Sequence, residues 1–214
     1  MGNKEINFKL LVPGNTITEI AGQSLYEKYG IKIKVKPAYH KELWTSQESA
    51  VGVVIETGFQ DRNGEIQNIG ITGDTRYTEG MGREYAECQV ILLNIGSIEK
   101  EEGKFLPQHL GMLGSINLLK EARLGKPLLA ILTEFGEEFT GKRQVISKII
   151  EDWAHPINPT RPNGMFRVLP ADVNLEVKLH EMAIRESDTH VFFPYNNISV
   201  EEPHSEILKY KFNG

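Results

Sequence analysis

Gly70-Ile71-Thr72-Gly73-Asp74-Thr75-Arg76-Tyr77 joins an apolar run to a sharp turn that carries a carboxylate. Ile66 to Ile71 reads as a strand. Gly73 can take backbone angles closed to other residues, so the chain bends there. Asp74 is then left at a rigid strand end, where a metal ligand or a catalytic carboxylate is held in place. Taken alone, the same residues also describe a plain strand-ending turn, with Asp74 bonded to its own backbone. The flanking segments decide between the two.

On the N-terminal side, Val51 to Glu56 is a strand, Asn63-Gly64 is a hairpin turn, and Glu65 to Thr72 returns antiparallel. Before them, Ile31-Lys32-Ile33-Lys34-Val35-Lys36 alternates strictly, as a half-buried strand does. It runs into Pro37-Ala38-Tyr39-His40, so His40 stands at a strand end as Asp74 does. Phe8 to Val12 reads as a further strand. Thr16 and Glu19 form a capping-box pattern, which predicts a helix from about Ile17 to Tyr29 with Gly30 as its stop.

On the C-terminal side the pattern changes. Glu79 to Glu87 reads as a short helix and Gln89 to Ile95 as a buried strand. Leu106 to Gly111 carries His109. Ser115 is placed to cap a helix through Leu124, Pro127 to Thr133 is a second buried strand, and Glu134-Phe135-Gly136-Glu137-Glu138 follows it. A second long helix presents Val145, Ile146, Ile149, Ile150 and Trp153. Past a proline-rich stretch, strands are expected at Phe166 to Leu169, Leu175 to Leu179, Val191 to Phe193 and Ile207 to Phe212.

The sum is an α/β protein with mixed β-sheets flanked by helices. If the strands are neighbours, His40, Asp74, His109 and Glu134 collect along one rim, where α/β proteins place their sites. The 214 residues suit one large domain or two small ones, and 40% hydrophobic content is enough for a substantial core. A net charge of −5 gives no global basic field for nucleic acid. The single cysteine, Cys88, makes no internal disulfide and points to a reducing compartment. No apolar run approaches the ~20 residues of a membrane span, and the N-terminus lacks the apolar segment of a secretory signal. The expected location is the cytoplasm.

The order of these motifs, with Pro-Ala-Tyr-His, Thr-Gly-Asp-Thr-Arg-Tyr, His-Leu-Gly and Thr-Glu-Phe-Gly-Glu-Glu each after a strand or before a helix, resembles the C-terminal half of a metallo-β-lactamase-fold hydrolase. The nearest flavour is the ribonuclease Z-like phosphodiesterases. The resemblance covers Ile31 to Glu138. It implies one half of an αββα sandwich over residues 1–140, with 141–214 as a C-terminal extension packed on the same domain. It further implies that His40 is a metal ligand, that Asp74 bridges two metal ions, and that His109 assists proton transfer. Glu134 falls where the family usually has its last metal-binding histidine.

Two departures stand out. The family's His-x-His-x-Asp-His motif, which belongs to the N-terminal half, is absent from this sequence. The last ligand position is a glutamate, which binds zinc, manganese or magnesium through oxygen. Two metals about 3.5–4 Å apart would clamp the phosphoryl oxygens of an in-line displacement, and this sequence supplies ligands for half of such a site.

Each residue has a plainer reading. His40 and His109 are of a kind often structural or exposed, and Glu134 can be a solvated residue that favours the next helix N-terminus. Three readings follow: half of a metal-dependent phosphodiesterase or nuclease completed by a second copy, a partner chain or a further segment; a non-catalytic relative that keeps the fold for binding or assembly; or an unrelated α/β protein whose rim binds a small ligand. The first two predict oligomerisation through an apolar surface, and the first a nucleic acid or nucleotide substrate.

Overall fold

The computed structural model describes residues 10–41, 49–60, 64, 66–99, 108–122, 129–154, 166–171, 175–178, 183–186 and 189–192. Three two-residue strands come first: β1 (Thr16–Ile17), β2 (Glu19–Ile20) and β3 (Gln23–Ser24). The short helix α1 (Leu25–Tyr29) follows, then β4 (Lys32–Pro37), β5 (Val51–Gln60) and β6 (Ile66–Ile71). A 3-10 turn (Met81–Tyr85) leads to β7 (Val90–Asn94), α2 (Met112–Ala122), β8 (Leu129–Thr133), α3 (Arg143–Ala154) and β9 (Arg167–Pro170). Strands β10 (Leu175–Lys178), β11 (Ala183–Glu186) and β12 (Thr189–Phe192) form a separate antiparallel sheet.

The main sheet has seven strands in the order β1-β4-β5-β6-β7-β8-β9. Pairing is antiparallel from β1 to β6 and parallel from β6 to β9. The switch follows the connections: β5 returns to β6 over a short reversal, whereas β7 to β8 crosses over through α2 and β8 to β9 through α3. This is the mixed α/β sheet expected from the sequence.

Partners across the ladders share a face, and the two faces differ. On one, Val54, Ile91, Leu93, Ala130, Leu132 and Val168 pack with Leu118, Leu119, Ile146 and Ile150 of α2 and α3 in the main core. On the other, Ile33–Ile55–Ile69–Val90 and Val35–Val53–Ile71–Leu92 run as two apolar rows across the ladders. Most of this second face is half-buried, with Val35 and Val90 buried. Helix α3 and strand β9, C-terminal to residue 140, share the main sheet and core.

The helix expected over Ile17 to Tyr29 is a correction. Only Leu25–Tyr29 is helical, capped by Ser24, whose hydroxyl accepts from the Glu27 N–H, and stopped by Gly30 at φ 70°. Ala21 (φ 51°) and Gly22 (φ 74°) form a left-handed turn that no helix accommodates. The β-branched Thr16, Ile17 and Ile20 enter strands instead. Helix α2 starts four residues earlier than expected: Ser115 is not its cap but lies inside it, its hydroxyl donating to the Gly111 carbonyl at 2.7 Å. The helix expected at Glu79 to Glu87 is the 3-10 turn. On α3, Ile146 and Ile150 are buried while Val145 and Trp153 are exposed, so the apolar stripe is only partly used. Leu10 to Val12 form no strand, and Phe8, Trp44, Asn63, Leu124 and Ile207 to Phe212 lie outside the described residues.

Candidate metal centre

Topology brings the candidate residues together. Strands β4 and β6 both pair antiparallel with β5, so they run the same way and end at the same rim. His40 comes three residues after Pro37 and Asp74 three residues after Ile71. Strand β7 runs parallel to β6, and beyond its end Ile95 makes a parallel bridge to Leu110. The Gly96 N–H donates to the Leu110 carbonyl at 3.0 Å, which places His109 on that rim.

Backbone bonds fix the loops. The Tyr39 N–H donates to Thr75 Oγ1 at 2.8 Å, and the Arg76 N–H donates to the Tyr39 carbonyl at 3.0 Å. Thr75 is fully buried, so the stretch that carries His40 is stapled to the stretch that carries Asp74. Gly73 has φ 63°, and a Cβ there would stand 2.5 Å from the Val51 carbonyl oxygen. Both the turn and the space require glycine.

The side chains converge. One ligand atom each from His40, Asp74 and His109 lies within 4.8 Å of the others. His109 Nδ1 is 3.1 Å from Asp74 Oδ1, and the two imidazoles are 5.0 Å apart at an interplanar angle of 50°. His40 Nδ1 is 3.0 Å from the Gln108 carbonyl, which only accepts. That bond assigns the proton to Nδ1 and leaves the Nε2 lone pair of His40 for a ligand, the arrangement usual for metal-binding histidines. Asp74 and His109 side chains are 44% and 39% exposed, so solvent reaches them.

Two imidazoles and one carboxylate suit zinc or manganese. A single ion holds each ligand atom at about 2.0–2.2 Å, so a group spread over as much as 4.8 Å has to draw together to share one ion. Three side chains around one ion would leave further coordination positions open.

Of the four residues singled out in the sequence, the structure gathers three. His109, expected beside the ligands as a proton carrier, is in contact with Asp74 itself. Glu134 stands past the end of β8 with φ 53°, exposed and outside the group. Other contributors were not singled out. Gln108 acts through a backbone carbonyl, which no side-chain pattern signals. Gly96 gives His109 its room: a Cβ there would stand 2.7 Å from His109 Cβ. A separate hollow lined by Lys32, Glu56, Asn68 and Glu87 lies near the opposite ends of β4 and β6.

Among solved structures the chain matches metallo-β-lactamase-fold proteins. It resembles that fold. YhfI from Bacillus subtilis, a metallo-β-lactamase-fold protein, is 15% identical over 79% of this chain and 52% of its own, with a TM-score of 0.48. A long-form RNase Z from yeast is 18% identical over 53% of this chain and 14% of its own, with a TM-score of 0.42. Igni18, a metallo hydrolase from Ignicoccus hospitalis, is 19% identical over 57% and 46%, with a TM-score of 0.38. The chain thus spans about half the length of YhfI. No protein-family model and no curated protein matches the sequence. The likeness to metallo-β-lactamase-fold proteins concerns architecture alone. No helix among the described residues is long and apolar enough to cross a membrane.

Proposed function

We propose that this chain carries part of a metal-dependent hydrolase site, of the phosphodiesterase or nuclease type, built on His40, Asp74 and His109. The observation that carries the reading is the convergence of these three groups, from three separate loops, on one solvent-reachable rim. When bound there, zinc or manganese supplies Lewis acidity toward a phosphoryl oxygen. The chain's own residues do the rest. The Gln108 carbonyl holds His40 Nδ1 and leaves Nε2 for a ligand. Asp74 offers one oxygen to His109 and keeps the other for a ligand. His109 holds a proton at Nδ1 against Asp74 and offers Nε2.

Three ligands are too few for two ions, so we assign the remaining ligands to a second copy, a partner chain or a further segment. The apolar rows Ile33–Ile55–Ile69 and Val53–Ile71–Leu92 support that assignment, because a chain laid on this face reaches the same rim. The substrate under this reading is a nucleic acid or nucleotide phosphodiester. A second reading, a binding or assembly subunit that keeps the fold without a full site, is favoured by Glu134 standing outside the group. Hydrolysis of bis(p-nitrophenyl) phosphate with zinc or manganese decides between them. Metal-dependent turnover lost in Asp74→Ala supports the hydrolase, and metal binding without turnover in any assembly supports the binding subunit.

A further inference from the structure

Glu121, on the last turn of α2, is 47 positions along the chain from Asp74 and belongs to no motif read in the sequence. Its carboxylate accepts three hydrogen bonds from the loop that follows Asp74. The Tyr77 hydroxyl donates to Oε1 at 2.6 Å, the Gly80 N–H donates to Oε1 at 2.9 Å, and the Gly82 N–H donates to Oε2 at 2.8 Å. All three partners are donors, so only a group with acceptors on both oxygens satisfies them. Burial, and then the bond to Glu121, hold the Tyr77 phenol well above its usual range, so it stays a donor.

The same helix carries the other half of the contact. Helix α2 begins three residues after His109, and its first turn is held by Glu99, whose Oε1 accepts from the Gly114 N–H at 3.1 Å. Asp74 lies three residues before Tyr77 in a loop stapled through Thr75 and Arg76 to Tyr39. The loop of Asp74 and the helix behind His109 therefore meet at one carboxylate.

We propose that Glu121 is a positioning residue for the metal centre: by bracing the 77–82 loop against α2 it sets the Asp74–His109 contact. The inference deepens the metal-site reading and rests on it for its relevance to catalysis, but its test needs no metal. Glu121→Gln is nearly isosteric and puts an NH2 group where one of the N–H donors now points, so at least one bond is lost and two donors are opposed. Asp74 is then free to drift from His109.

The measurement is the ring tautomer of His109 by 15N NMR, on the full chain stripped with EDTA at mildly alkaline pH. In the wild type Asp74, an acceptor only, holds the proton on Nδ1. In Glu121→Gln the Nδ1–H share of His109 falls by roughly half or more, while His40, bonded to a backbone carbonyl, keeps its tautomer. Tyr77→Phe removes one bond of the three and gives a smaller change in the same direction, which covers the case of a Glu121 variant that does not fold. Ile116→Val, a destabilising change in the buried face of α2, leaves the His109 tautomer as it is. An unchanged His109 in both Glu121→Gln and Tyr77→Phe overturns the proposal, as does an equal change in Ile116→Val. A wild type with this tautomer pattern that binds no metal counts against the hydrolase reading alone.

Discussion

His109 Nδ1 stands 3.1 Å from Asp74 Oδ1, although 35 residues separate the two in the chain. The contact joins a turn after β6 to a residue three positions before α2. The sheet order sets it up, since β6 and β7 are parallel neighbours and Leu110 is bridged to the extension of β7. Asp74→Asn keeps the shape but replaces a charged acceptor with an amide. Zinc affinity is expected to fall by at least about tenfold, the scale seen when groups around a metal are altered. Isothermal titration of both proteins with zinc reads it, and equal affinities would remove Asp74 from the site.

Gly96 is the neighbour whose lack of a side chain lets His109 sit where it does. In Gly96→Ala the new methyl meets His109 Cβ, and the cost is that of overpacking, about 1–3 kcal/mol. The expected result is a lower thermal midpoint together with weaker metal binding. The same metal affinity as wild type would show that His109 contributes nothing as a ligand.

Thr75 is fully buried and its hydroxyl accepts from the Tyr39 N–H while donating to the Arg76 carbonyl. Thr75→Val keeps the volume and strands the Tyr39 N–H away from water, a loss of about 1–3 kcal/mol. Urea unfolding measures the loss. Because the staple also holds the His40 stretch to the Asp74 stretch, the zinc titration should weaken in the same variant.

Cys88 is fully exposed in the unfolded chain and fully buried in the folded one, and burial pushes its thiol up to about 12. Two outcomes follow. At pH 8 iodoacetamide modifies the folded chain only as fast as the core opens, whereas the urea-unfolded chain reacts at once. The sign of the pH effect is set by the raised folded value. Stability is fully present below the unfolded thiol's value near 9 and is lost as pH rises from there toward 12, because only the unfolded thiol ionises. The slope over that window is at most about 1.4 kcal/mol per pH unit from this group. Urea midpoints at pH 8 and pH 10 test it, with Cys88→Ala as the comparison that flattens the difference.

Much of this was legible in the residues. Strict alternation in Ile31 to Lys36 and the apolar runs that became β7 and β8 gave the strands, and strand-end placement picked out His40 and Asp74. His109 was legible as a site residue, though its 3.1 Å contact with Asp74 was not, because no local pattern encodes a distance across 35 residues. The first helix was misread because Thr16 and Glu19 mimic a capping box, while Ala21-Gly22 turn left-handed in the middle of the stretch. The capping residue was Ser24. Glu134, expected as a ligand from its position after β8, has φ 53°, is exposed, and is not in the group of His40, Asp74 and His109. Glu121 and Gly96 left no signal, since their work is to meet a loop and a ring that only the tertiary fold brings near.

Whether His40, Asp74 and His109 form a metal site is open to direct measurement. Native mass spectrometry of the purified chain, with zinc and then manganese added, reads metal count and assembly together. The expected result is at least one bound ion per chain, lost in Asp74→Ala, in a dimer or a larger assembly. A wild-type chain that stays metal-free at every metal concentration, or an Asp74→Ala variant that binds metal as wild type does, would contradict it.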